Sequence, residues 1–327
     1  MIDTAAPPPW VRSADVRYVR ADVCDESAIA GAVAGAEVVL HAAFASPAAS
    51  RAVIDSVNVQ GTDTVRRAAL RAEARRMVLV SSTIVSTPGR RHHFLRDSPL
   101  ARLDAYRRAR RAAEANAVST ADRLPVAVVR PKTFVGPGRV GGFALIMDAV
   151  RRGASVPLID GGRSSYQLLD VRDLAVALVL VTGVDATGVF ELGARRFGTM
   201  AEDVDTLIAH AGTGARIRPL PRRLARVGLR TIELAGGAPL AEWHQCAARG
   251  EASVVATDRA EELLGWQPRW SNAEALIAAY DWYAARAAAG TDAPTTHAVP
   301  ALHRLVGRLA GTRPARAGRV GLSLIHI

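Results

Sequence analysis

Tyr106 and Arg110 stand four residues apart in the run YRRAR, a spacing that puts a phenol and a guanidinium on one face of a helix. A phenol with a pKa of about 10 is a poor proton carrier at pH 7, and a fixed cation beside it favours the phenolate. A hydroxyl from Ser81-Ser82-Thr83, which ends an apolar run, could hold a substrate oxygen next to such a pair. The competing reading is an ordinary surface helix with arginines. Other reactive residues offer less. Cys24 and Cys246 show no CxxC spacing, which argues against a disulfide framework and a cysteine zinc site. His92-His93 has no metal partner at helical spacing and reads as a loop, so no metal is expected.

The elements that must position these groups alternate. Val16 to Ala21, Glu37 to Ala42, Met77 to Ser81 and Val126 to Arg130 read as strands; the segments 26–34, 58–74 and 103–118 between them read as helices. Unbroken β-branched strands separated by helices predict an α/β fold with a doubly wound, Rossmann-like parallel sheet covered on both faces. Ligands in such folds sit beyond the strands' carboxyl ends. After Pro131 the rhythm changes. Residues 143–152 and 173–181 read as helices, 168–171 and 189–192 as short strands, and from about 196 helices dominate up to 289.

The chain has 327 residues and a formal charge of +11, and every basic side chain except Lys132 is arginine. Abundant alanine beside arginine is what GC-rich coding produces. The arginine pairs are scattered and aromatics make up only 5%, so solvated helix faces are expected and a nucleic-acid site is not. The longest clean apolar run, Leu174 to Val181, is far short of the roughly 20 residues that span a bilayer. With no signal-like N-terminus, no membrane association is expected and a reducing cytoplasm is the expected compartment.

Taken in order, DVCD from Asp22, HAA from His41, NVQGT from Asn58, SST from Ser81, YRRAR, RPKTFVGPG from Arg130, LLDVRDLA from Leu168, LGWQPRWS from Leu263 and YDWY from Tyr280 resemble the extended short-chain dehydrogenase/reductases, the group of the NAD-dependent epimerases and dehydratases. The resemblance runs from about residue 16 to about 285. It implies that Asp22 and Val23 meet the adenine, that His41, Ala42 and Ala43 line the pyrophosphate and ribose, and that Asn58 braces the sheet. It implies Ser81 beside the nicotinamide, Thr83 orienting the substrate oxygen and Tyr106 as general acid/base. Pro131 and Thr133 would border the carboxamide; Phe134, Arg163 and Gln167 would face the substrate. Simpler roles compete: Asp22 and Asn58 as helix caps, His41 as a satisfied core histidine, and Trp266, Trp270 and Trp282 as packing residues.

Two departures matter. Arg110 stands where the family has a lysine that holds the nicotinamide ribose, and a planar guanidinium is not interchangeable with an ammonium. Lys132 follows the RP strand and is a candidate to compensate from the substrate side. Second, no GxxGxxG turn precedes Asp22, so the chain reads as N-terminally truncated: the first strand, its phosphate-binding loop and a second strand are expected to be missing. The strand from Val16 would then lose its neighbour and open a hydrophobic edge. LSLIHI, residues 322–327, resembles a translated adaptor end.

The resulting domain expectation is an incomplete NAD(P)-binding domain over 1–135 and 160–195, a smaller, mostly helical substrate lobe over 136–159 and 196–289, and a poorly ordered tail over 290–327. The parent activity implied is an NAD(P)-dependent oxidoreductase, epimerase or dehydratase acting on a secondary alcohol or ketone, a nucleotide sugar above all, with a hydroxysteroid-type or small carbonyl substrate as runner-up. Arg163, Gln167 and Arg216 would supply the phosphate-facing groups. NAD or NADP binding is expected to be weakened in this chain. The long helices around Asn58 and Leu103 are where the family pairs into homodimers. The alternative is a non-catalytic remnant serving as a binding or scaffold module.

Overall fold

The computed structural model describes residues 1–7, 16–47, 49–86, 99–225, 227 and 254–290. Cys246, His92-His93 and the tail beyond Gly290 with its LSLIHI end lie outside them. In chain order the elements run β1 (Ile2–Asp3), β2 (Val19–Arg20), α1 (Glu26–Val33), β3 (Val38–His41), α2 (Arg51–Asp55), α3 (Gly61–Arg71), β4 (Arg76–Val80), α4 (Pro99–Val118) and β5 (Val126–Pro131). They continue with β6 (Phe134–Val135), α5 (Ala144–Arg151), β7 (Ser155–Ile159), β8 (Leu169–Asp170), α6 (Val171–Gly183), β9 (Gly188–Leu192), α7 (Met200–Ala211), β10 (Arg216–Leu220), α8 (Asp258–Leu264) and α9 (Asn272–Ala288). Among the described residues the chain forms two compact units, one of Met1–Arg130 with Leu178–Glu191, the other of Pro131–Ala177 with those from Leu192 to Gly290.

The first unit is built on a sheet in the order β3-β4-β5-β9, with β3, β4 and β5 parallel. All five residues of β4 are buried, as an apolar run between helical layers requires. Ile29 and Val33 of α1, Val65 and Ala69 of α3, and Ala113 and Ala117 of α4 pack with Val39, Met77 and Val128 of the sheet. The strand expected from Val16 narrows to β2, and its parallel neighbour is β1, with Ile2 opposite Val19 and Asp3 opposite Arg20. This corrects the expectation that β2 stands without the preceding strand. Two residues are too few to show periodicity, which is why β1 was not read as a strand.

The helix expected from Asn58 begins seven residues earlier. Ser50 is its N-cap, the hydroxyl accepting from the Val53 amide. Between α2 and α3 lies a π-turn, Ser56–Gln60, with Asn58 inside it, so Asn58 is no cap. Gly61 follows because Val23 leaves no room for a side chain: a Cβ there would come 2.6 Å from Val23 Cγ2.

In the second unit β6 pairs with β8, and β7 pairs with β10 in parallel, Ser155 opposite Arg216 through Ile159 opposite Leu220. β10 falls where helices were expected, and β7 in a stretch given no element. β10 has no buried residue, and both strands are interrupted by a proline. Met147, Val156, Leu168, Val204, Leu207, Leu276 and Tyr280 form this unit's core. Trp266, fully buried, donates its indole N–H to the Asp173 carbonyl, and the Asp173 carboxylate accepts from the Arg269 and Trp270 amides. LGWQPRWS is thus a clamp on the start of α6. No described helix is long and apolar enough to cross a membrane.

Candidate active site

Helix α4 presents Tyr106, Arg110 and Glu114 at a stride of four, all three buried in the first unit. Arg110 sends Nη1 to the Val80 carbonyl at 3.2 Å and Nη2 to the Ser81 carbonyl at 3.0 Å, gripping the carboxyl end of β4. Its guanidinium lies 3.5 Å above the Phe44 ring and 5.4 Å from the Tyr106 ring centroid. Burial lowers the Arg110 pKa, while the Tyr106 and Glu114 side chains oppose that shift. A guanidinium stays charged at pH 7 regardless.

The loop leaving β4 is held at further points. Ser82 Oγ accepts from the Ile84 amide and starts the 3₁₀ turn Thr83–Val85, with Thr83 half-buried at its head. Arg111 donates through Nε and Nη2 to the Val85 carbonyl, at 2.9 and 2.6 Å. Arg130 forms a bidentate pair with Glu114, at 3.0 and 2.5 Å, and donates to Ser86 Oγ at 3.2 Å. Ser86 in turn donates to Glu191 at 2.7 Å. The Glu114 bond raises the Arg130 pKa, in line with a charge-assisted fork. Arg110 is buried and not on a solvated helix face, and with the half-buried Arg130 and the exposed Arg111 it fastens the loop that carries Thr83.

Across from this loop, His41 ends β3. Its Nε2 lies 3.0 Å from Thr62 Oγ1, and the Thr62 hydroxyl donates its proton to the Asn58 carbonyl at 2.7 Å. Thr62 must therefore accept from His41, which fixes the Nε2–H tautomer. Burial, and then the Arg110 charge, press the imidazole pKa down to about 3, so the ring is neutral at pH 7. Ala42 and Ala43 follow half-buried, and the Ala45 amide donates to Asn58 Oδ1 at 2.8 Å.

Three buried polar atoms along this run of contacts have no partner among the described residues: Asn58 Nδ2, Ser81 Oγ and Arg110 Nε. Leaving a buried donor or acceptor unpaired costs about 1–3 kcal/mol each. A cluster of them beside the carboxyl ends of β3 and β4 suits a ligand rich in hydroxyls and carbonyl oxygens, such as a ribose bearing a carboxamide ring.

The remaining expected residues are placed as follows. Asp22 is exposed just after β2 and accepts from the Cys24 amide at 2.9 Å; the α1 cap is Asp25, which accepts from Ser27 and Ala28. Val23 packs against Gly61. In the second unit Pro131 is buried and the Lys132 amide donates to the Leu192 carbonyl at 2.8 Å. The Lys132 ammonium lies 5.3 Å from the Tyr166 ring centroid, and Thr133 Oγ1 is 2.9 Å from the Tyr166 hydroxyl. Arg139 covers the Phe134 ring at 4.9 Å, and Arg163 is exposed. Gln167 is buried, with Nε2 on the Ala194 carbonyl and Oε1 accepting from the Val255 amide, so its amide ties backbone segments together.

Phe44, Glu114, Tyr166 and Asp3 are residues the sequence reading passed over. Glu114 could have been found by extending the four-residue stride from Arg110. Asp3, buried at the end of β1, needed only the recognition of β1 as the strand before β2.

The chain as a whole resembles known proteins. A model of the NAD dependent epimerase/dehydratase family matches residues 3–193. The uncharacterized protein y4nG of Sinorhizobium fredii is 29% identical over 306 residues, 92% of this chain and 77% of that protein. A dTDP-glucose 4,6-dehydratase of Streptomyces niveus is 26% identical, over 82% of this chain and 76% of its own. The UDP-glucuronic acid 4-epimerase of Bacillus cereus, solved in complex with NAD, superposes with a TM-score of 0.65 at 14% identity, covering 86% of this chain and 88% of that one.

Proposed function

Because the chain belongs to the NAD dependent epimerase/dehydratase family, we propose that it uses a nicotinamide dinucleotide to oxidise or reduce a secondary alcohol or ketone of a nucleotide sugar. The observation that carries the reading is the buried Tyr106–Arg110 pair at the end of β4, surrounded by the unpaired atoms of Asn58, Ser81 and Arg110. When bound, the cofactor supplies the hydride acceptor or donor. The protein's share is positioning and proton transfer. Thr83, at the head of a turn pinned by Arg111, holds the substrate oxygen by its hydroxyl. Tyr106 takes or returns that oxygen's proton, and Arg110 is the fixed cation beside it. Ser81 and Asn58 line the ribose and carboxamide side, and His41, held neutral, adds no charge there.

Asp3 is the group that would read the adenosine ribose. A carboxylate at the end of this strand accepts from a 2′-hydroxyl and repels a 2′-phosphate, so NAD is the preferred form. In the second unit the exposed arginines Arg163, Arg216, Arg218 and Arg223 suit the diphosphate of a nucleotide sugar. The dTDP-glucose and UDP-glucuronic acid enzymes among the similar proteins support that substrate class.

The test is a fluorescence titration of the full chain with NADH and NADPH, followed by NAD turnover against UDP- and dTDP-hexoses. NADH binding at least tenfold tighter than NADPH is expected, and Asp3→Asn should erase that gap. Tyr106→Phe should keep NADH affinity within about twofold and lower turnover by roughly a hundredfold or more, the range for loss of a general acid–base. Turnover that survives in Tyr106→Phe would overturn the assignment.

A further inference from the structure

Arg110 is a departure from the lysine its position calls for, and the structure shows it in company a lysine could not keep. Its two terminal nitrogens are spent on the Val80 and Ser81 carbonyls, and its flat face rests on Phe44 at 3.5 Å. A forked, planar cation can hold two carbonyls through its terminal nitrogens, lay a flat face on a ring and still carry a separate Nε–H donor; a point-like ammonium has neither the flat face nor the Nε–H. Phe44 is itself buried and anchored. His41 packs against it with ring centroids 5.0 Å apart, and the next residue's amide is held by Asn58. With both ends and one face of the guanidinium engaged, the nitrogen that makes no hydrogen bond among the described residues is Nε, and it is buried.

We propose that Phe44 is a positioning residue that acts through Arg110, turning the guanidinium so that Nε–H is the donor offered to the bound dinucleotide. The inference rests on the cofactor reading above and deepens it. The pair is co-adapted: ring and guanidinium replace what a lysine does alone, so the ring has to be present for the arginine to serve. Restoring lysine at position 110 then fails to restore the site, because an ammonium has no flat face to rest on Phe44 and no Nε–H set apart from the donors that hold the carbonyls.

The experiment follows the Arg110 Nε–H resonance in ¹H–¹⁵N spectra of the full chain, assigned by its disappearance in Arg110→Lys, with NAD⁺ as the added probe. In the free protein the signal is expected upfield of the other arginines through the Phe44 ring current. Phe44→Leu should return it to the arginine envelope and weaken NADH binding by roughly threefold to tenfold. Phe44→Tyr, which keeps the ring, should retain both the shift and the affinity. NAD⁺ should move the signal in the wild-type chain. An unmoved signal in Phe44→Leu overturns the inference. So does a saturating NAD⁺ titration that shifts backbone amides but leaves Nε–H in place, and in that case the cofactor reading survives. If NAD⁺ shifts no resonance at all, the cofactor reading falls and this inference falls with it.

Discussion

Asn58 and Asn272 are both fully buried asparagines, one in each unit, and they are treated differently. Asn272 begins α9 and spends both ends of its amide: Oδ1 accepts from Leu168, and Nδ2 donates to the Tyr166 carbonyl and to Asp203. Asn58 accepts from Ala45 and leaves Nδ2 with nothing among the described residues. The same contrast separates their neighbours. Gln167 and the Asp173 carboxylate bond to backbone groups at both of their polar atoms, whereas Ser81 Oγ and Arg110 Nε stand idle. The saturated groups of Asn272, Gln167 and Asp173 hold segments together. The unpaired atoms of Asn58, Ser81 and Arg110 are kept at a cost in stability, and such a cost is tolerated where a ligand repays it.

Acid should strain the comparison most. His41 is buried with its Nε2–H committed to Thr62, and its pKa is held down to about 3. An unfolded chain takes up that proton near pH 6.5, so between pH 6.5 and 3 the unfolded state binds more protons than the folded one. Stability should fall as pH drops through that window, by up to about 1.4 kcal/mol per pH unit from this residue alone. Urea midpoints at pH 7 and pH 4.5 measure it, and His41→Gln should flatten the fall. A His41→Gln chain whose stability falls as steeply as the wild type's would remove His41 from the buried set.

The asparagines themselves come next. Asn272→Leu strands an amide, a carbonyl and Asp203, and should lower the unfolding free energy by about 3 kcal/mol or more. Asn58→Leu strands only the Ala45 amide and should cost about 1–2 kcal/mol, with a larger relative loss in NADH affinity. Equal costs in urea would break the distinction. The smallest effect belongs to Ser81→Ala. Its hydroxyl has no partner among the described residues, so stability should hold or rise by less than about 1 kcal/mol while NADH binding weakens.

What the sequence disclosed follows the range of the interactions. Tyr106 and Arg110 are one helical turn apart, and the strand–helix alternation around them is a local pattern, so both could be read. The role of Arg110 could not. Its ring partner comes from the loop after β3 and its hydrogen bonds from the end of β4, and nothing in YRRAR announces either. Asn58 looked like a cap because a good capping residue preceded an apolar stride, yet Ser50 offered the same chemistry earlier and the helix grew from there. β10 was hidden because none of its residues is buried, and β7 and β10 pair across a long stretch of sequence.

The five-residue loop of backbone at Ser56–Gln60 makes this region hard to edit. It carries one residue more than a regular turn would, and Asn58 and Thr62 meet Ala45 and His41 from the angles that surplus creates. Shedding a single residue there would let the coil relax to its ordinary pitch with α3 still in phase, but Asn58 would lose the angle from which it meets Ala45. A one-codon loss would spare the helix and cost the site.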